Sequence, residues 1–204
     1  MRVKEIVDHL ENIAPLHLQE AYDNCGLLTG TTDMTCTGVL CTLDATEAVI
    51  LEAVAKGCNM VVAHHPIVFS GLKKINGITY IEKAVLAAIK HDMAIYAIHT
   101  NLDNVIDGVN CKIAQKIGLT ELQILDPKPG AGPGIGAGII GHLSAPVTEA
   151  DFLRNLAHIF KIPTIKHSPF LGKKLQKIAI CGGSGAFLTQ KALEMGVDAF
   201  VTSD

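Results

Sequence analysis

Met60 to Gly71 reads MVVAHHPIVFSG, and the fold turns on how its first half is taken. Met60 to Ala63 is an apolar run too short for a helix, with the length and composition of a buried strand. It leads straight into His64-His65-Pro66. Pro66 biases His65 toward extended backbone, so the strand gives way to a loop and not to a helix. A second run, Ala94 to Ile98 (AIYAI), has the same character and also ends in polar chemistry, His99-Thr100-Asn101-Leu102-Asp103. In open α/β sheets ligands gather outside the carboxyl ends of the strands. These two strands deliver His64, His65, His99 and Asp103 to that edge, and a metal site is the leading reading. Imidazole suits zinc, iron, manganese or nickel, and a carboxylate can bridge two such ions. Successive side chains on a strand point to opposite faces, so His64 and His65 are expected to serve two neighbouring ions, one imidazole each. Ordinary core or surface histidines are the alternative.

Working outward, the chain alternates helix-like and strand-like stretches. Val3, Ile6, Val7, Leu10 and Ile13 share a helical face, with Pro15 beyond the stop. Tyr22 to Leu28 (YDNCGLL) reads as a turn feeding an apolar pair, and alone is only a loop. Gly38 to Leu43 reads as a buried strand, and Asp44-Ala45-Thr46-Glu47 opens a helix running to Lys56-Gly57. Asp44 precedes Glu47 at the spacing of a capping box, which explains it without function. Its position at a strand's carboxyl end keeps a role beside the metals open. Phe69 to Thr79 is a loop in which Lys73 and Lys74 are read as solvated; helices are expected from about Tyr80 to Lys90, from Asp107-Gly108 through Lys116 to Gly118, and from Thr148 to Phe160.

Asp126 to Gly141 reads DPKPGAGPGIGAGIIG. Proline and glycine dominate its first part and mark a boundary between a first α/β unit, residues 1–126, and a second, residues 127–204. Gly136, Gly138 and Gly141 satisfy G-x-G-x-x-G literally, but no strand is read before them and Pro146 stands where a helix should open, so a dinucleotide site is rejected. The glycines are expected to permit a tight turn or a close backbone contact. Beyond lie a strand at Lys177 to Ile180, a glycine turn at Cys181 to Gly185 (CGGSG) and a helix from Ala186 to Glu194. That turn either holds a phosphate on its amides, without the lysine of a P-loop, or is a tight turn capped by Ser184. Val39 to His65 and Ile178 to Asp204 share an outline of strand, capped loop, helix, turn and buried strand, with His65 falling on Asp204. The fold expected is α/β, two similar units with mixed sheets flanked by helices and a cleft between them.

Bulk properties narrow the function. Hydrophobic residues make up 49% of the 204, yet no apolar run is long enough to span a membrane, and the N-terminus has no signal-peptide core. The six cysteines show no Cys-x-x-Cys spacing, so neither a zinc ribbon nor a thioredoxin motif is present, and a reducing, cytoplasmic setting fits. With a net charge of −3 and no basic cluster, no nucleic-acid groove is expected.

The pieces YDNCGLL (22–28), LDAT (43–46), AHHP (63–66), HTNLD (99–103), GVN (108–110), Gly134 to Leu143, CGGSG (181–185) and DAFVTSD (198–204) run through the whole chain in order. With them the chain resembles the GTP cyclohydrolase 1 type 2 homologue family, the NIF-three-like proteins. The resemblance implies two similar α/β units around a dinuclear site for divalent ions such as zinc, iron or manganese, in ring-shaped homohexamers. It implies that His64 and His65 are ligands of different ions, that Asp103 is a ligand shared by or adjacent to them, and that His99 orients those ligands or joins them. Family members continue past TSD and supply a further His and Glu, so by resemblance this chain is either C-terminally incomplete, the favoured reading, or carries a crippled site. The function expected is that of a dinuclear metal hydrolase-like protein acting on a nucleotide or other phosphate-containing small molecule. A non-catalytic metal-binding regulatory or interaction protein is the alternative.

Overall fold

The structure, a computed structural model, describes residues 1–203. It divides into two compact units, Met1–Leu102 and the residues from Asp103 on.

The first unit opens with helix α1 (Val3–Ile13), whose Val3 and Val7 are buried as the periodicity predicts. A four-stranded sheet follows: β1 (Gly26–Thr29), β2 (Val39–Asp44), β3 (Met60–His65) and β4 (Ala94–Ala97), in the spatial order β1-β4-β3-β2. β2, β3 and β4 are mutually parallel, and β1 joins the β4 edge antiparallel, Gly26 opposite Ala97. YDNCGLL is therefore more than a loop, because its last three residues, Gly26 to Leu28, lie in an edge strand. The parallel pairs are joined by α2 (Glu47–Ala55) and α3 (Tyr80–Lys90). Thr46, and not Asp44, caps α2, its side chain accepting from the Val49 amide. The capping-box reading of Asp44 is thus corrected: Asp44 is the last residue of β2, opposite His65. Ile50 and Ala53 of α2 and the small residues Ala84, Ala87 and Ala88 of α3 pack on Val61, Ala63 and Ile95. The alanines let the helix approach the sheet closely, and each fully buried Val or Ile contributes about 1.5–3 kcal/mol. This core holds the carboxyl ends of β3 and β4 at fixed register, Ala63 opposite Ala97.

Past β4 the chain does not continue extended. Thr100–Asp103 forms the short helix α4, so Asp103 stands on a helical turn and not on a strand end.

The second unit holds α5 (Val109–Ile117), β5 (Thr120–Pro127), β6 (Gly136–Thr148), α6 (Glu149–Phe160), β7 (Lys174–Ile180), α7 (Thr189–Glu194) and β8 (Ala199–Val201). Its sheet runs β5-β6-β7-β8, antiparallel except for the parallel β7–β8 pair. The two compact units part after Leu102, and β5 pairs with β6 inside the second. A strand does precede the glycine motif, contrary to the sequence reading. The motif itself lies in β6 and opens no helix, so the rejection of a dinucleotide loop stands. A Cβ at Gly136 would meet the Asp126 carbonyl oxygen at 2.2 Å, and at Gly138 the Leu188 Cδ1 at 2.9 Å, both at positive φ. These glycines allow the close approach that the sequence predicted.

The internal echo is real at the level of strand pairing. Val39 faces Met60 in the first sheet as Ile178 faces Ala199 in the second, each across a parallel strand-helix-strand unit. Its last expected pair, His65 with Asp204, lies outside the described residues.

Candidate metal centre

Three imidazoles converge at the carboxyl edge of the first sheet. One ring nitrogen from each of His64, His65 and His99 lies within 4.8 Å of the others. The ring centroids are 5.1 Å apart for His64–His65 and for His64–His99, and 5.3 Å for His65–His99. Strand alternation alone would send His64 and His65 to opposite faces, so their meeting departs from expectation. The cause lies in what each ring is tied to. His64 Nδ1–H donates to the Ile98 carbonyl at 2.9 Å, just past the end of β4. His65 Nδ1–H donates to Asp44 Oδ1 at 2.8 Å, at the end of β2. With neighbours gripping from both sides, the two rings meet beyond the strand terminus.

His99 is held by Asp23, whose Oδ1 accepts from His99 Nδ1–H at 2.9 Å. Asp23 Oδ2 accepts from the Thr100 amide at 3.0 Å and from the Thr100 hydroxyl. The Asn24 amide and the Cys25 thiol complete its set, at 2.8 and 3.2 Å. The Asp23 side chain is wholly buried, 0% exposed, whereas that of Asp44 is 59% exposed. Burial by itself raises the Asp23 carboxyl, but the hydrogen bonds from His99, Thr100, Asn24 and Cys25 outweigh it and hold it well below the usual carboxylate range. The main chain of His99 is fixed as well: its amide donates to Asn101 Oδ1 at 3.0 Å, and the Asn101 Nδ2 donates to the Ala14 carbonyl at 2.7 Å.

The His64 ring is tuned toward coordination. Burial first, and then the neighbouring His99 and His65, depress the His64 pKa against the Ile98 carbonyl and Asp23. That shift favours the neutral ring, which would take a metal without having to lose a proton. The Cys25 thiol is pushed up to about 11, chiefly by burial, so it is a donor to Asp23 and not a thiolate ligand. All three Nδ1 positions face acceptors, which fixes the Nδ1–H tautomer and directs coordination to Nε2. Imidazoles at this spacing fit a divalent transition metal, whether one ion or two ions about 3.5–4 Å apart.

Asp103, the other predicted ligand, ends α4, and its main-chain carbonyl accepts from the Asn110 Nδ2 at 3.1 Å. Asn110 Oδ1 in turn accepts from the Gly182 amide at 2.7 Å, and the Gly185 amide donates to Thr202 Oγ1 at 2.9 Å. Two amides of the CGGSG turn are thus engaged by protein side chains, which fits the tight turn and not a phosphate cradle. Thr202 serves it in the place expected of Ser184.

Residues 1–204 match the Duf34/NIF3 (NGG1p interacting factor 3) family over their full length. The chain belongs to the Duf34/NIF3 family. The GTP cyclohydrolase 1 type 2 homolog of Clostridium acetobutylicum is 32% identical over 204 residues, all of this chain and 76% of that protein. Its counterpart in Lactococcus lactis is 34% identical over 208 residues, again all of this chain and 78% of that protein. The crystal structure of Staphylococcus aureus protein SA1388 matches the whole chain with a TM-score of 0.93 at 28% identity, over 80% of its own length. In this Duf34/NIF3 chain the residues that sequence reasoning missed are Asp23, read as part of a loop, and Asp44 as a partner of His65. Asp44 carried a signal in its place at a strand's carboxyl end. Asp23 carried only its place in the YDNCGLL stretch, with nothing to pair it with His99, 76 residues away.

Proposed function

We propose that this protein is a dinuclear metal hydrolase-like protein acting on a nucleotide or another phosphate-containing small molecule. The observation that supports it is the convergence of three imidazoles at a strand edge, each with its Nδ1 engaged by an acceptor. In this reading His64 and His65 bind different ions, Asp103 is shared between them or lies beside them, and His99 joins or orients the set. Bound divalent ions would supply Lewis acidity and a water acidified enough to attack near neutral pH. The chain's part is to aim the Nε2 atoms of these imidazoles and to hold them at the sheet edge. The relatives' shared name, GTP cyclohydrolase 1 type 2 homolog, makes GTP the first substrate to try. The homohexamer that the resemblance implies is part of the same proposal.

One observation favours a non-catalytic, regulatory metal protein instead. Asp23 and Asp44, two carboxylates that touch the cluster, each hold an imidazole nitrogen, and neither stands ready as a general base. Elemental analysis of purified wild type, His64→Ala and Asp103→Ala tests the site: substitution should lower metal content, and equal content in all three ends the proposal. Assays of GTP and phosphoesters with added manganese or zinc test turnover. Persistent inactivity of metal-loaded protein moves the reading to the regulatory class.

A further inference from the structure

We propose that Asp23 is the positioning residue of the metal centre: it sets the tautomer and orientation of His99 and fixes the start of α4 with the same carboxylate. The inference rests on the metal reading above and deepens it. The geometry has three parts. Asp23 Oδ1 takes the His99 Nδ1–H at 2.9 Å, which leaves Nε2 as the coordinating atom. Asp23 Oδ2 takes the Thr100 amide at 3.0 Å and the Thr100 hydroxyl, so the first turn of α4 is tied to the group that holds the ring. The loop bearing Asp23 is itself fastened: the Asn24 Nδ2 donates to the Val68 carbonyl at 2.6 Å, the Cys25 amide to Gln19 Oε1 at 2.8 Å, and the Glu20 amide to Thr100 Oγ1 at 2.9 Å.

A wholly buried carboxylate that accepts from an imidazole, a main-chain amide and a hydroxyl cannot swing away as an exposed one can. Asp44 makes one comparable bond, to His65, but in the open. Of the two carboxylates, Asp23 is therefore the one that fixes a ligand's aim. An imidazole without such an acceptor samples both tautomers and rotates about its χ angles, and either change removes Nε2 from the ion.

The test uses the full chain, cobalt(II) as the probe ion and the Asp23→Asn variant. Wild type should bind cobalt(II) with visible ligand-field bands. In metal-free wild type, long-range proton–nitrogen spectra of the imidazoles, assigned with His99→Ala, should show His99 as the Nδ1–H tautomer. Asp23→Asn should weaken cobalt(II) binding by about 10–100-fold, shift the ligand-field bands and change the His99 tautomer, leaving His64 and His65 as they were. A folded variant with the same affinity, bands and tautomer overturns the inference. If the variant does not fold, the wild-type tautomer decides: Nδ1–H supports the inference and Nε2–H overturns it. If wild type binds no cobalt(II), the metal reading itself fails, and the inference falls with it. That outcome is read from wild type alone, which keeps the two failures apart.

Discussion

Tyr96 sits at the centre of β4, fully buried, and its hydroxyl has no hydrogen-bond partner among the described residues. A buried hydroxyl without a partner costs about 1–3 kcal/mol. Tyr96→Phe removes that penalty and keeps the ring, so it should raise stability by about 1 kcal/mol, read as a higher denaturation midpoint at unchanged m. A lower midpoint would mean that the phenol has a partner. Glu82 supplies the pH dependence at this scale. It accepts from the Ile78 and Asn76 amides at 2.9 and 3.3 Å. Its pKa is lowered, chiefly by the Ile78 amide and against burial, from an ordinary 4.5. A carboxyl whose folded pKa is depressed stabilises fully above its unfolded value and loses that contribution as pH falls through the folded one. Stability should therefore decline below about pH 4.5, and Glu82→Gln should flatten that decline. An unchanged slope would remove Glu82 from the account. Asp44→Asn, which breaks a largely exposed pair with His65, should change stability by less than about 1 kcal/mol.

The elements divide into those with local signals and those without. α1, α3, α5 and α6 end close to where apolar periodicity and capping residues put them, with Gly118 in the left-handed conformation closing α5 and Thr148 capping α6. Short apolar runs marked β3 and β4 equally well. β1 and β5 escaped notice because edge strands carry little apolar patterning of their own and are defined by the neighbour they pair with. β6 was hidden by its glycines and by Pro146, which read locally as breakers. Gly136 is where that element is most exposed to mutation. Gly136→Ala sets a Cβ against the Asp126 carbonyl at a φ of +152° and should destabilise the second unit by roughly 2–4 kcal/mol. Thermal unfolding at wild-type values would contradict the close β5–β6 contact.

Across the whole molecule the three clustered imidazoles were easier to find in the sequence than their supports. His64, His65 and His99 were legible because strand termini announce themselves in an apolar pattern. Their anchors at Asp23, Asp44 and the Ile98 carbonyl arise from tertiary contacts between distant segments, which no local pattern encodes. The Duf34/NIF3 match extends over the full chain, and among the described residues no helix is long and apolar enough to cross a membrane. The central claim is that the imidazoles beyond β3 and β4 hold divalent metal. It is tested most directly by anomalous diffraction from crystals of the protein soaked in zinc, recorded on either side of the zinc edge. The account predicts anomalous density within bonding distance of the Nε2 atoms of His64, His65 and His99. Zinc density elsewhere on the protein, with none at these three rings, would contradict it.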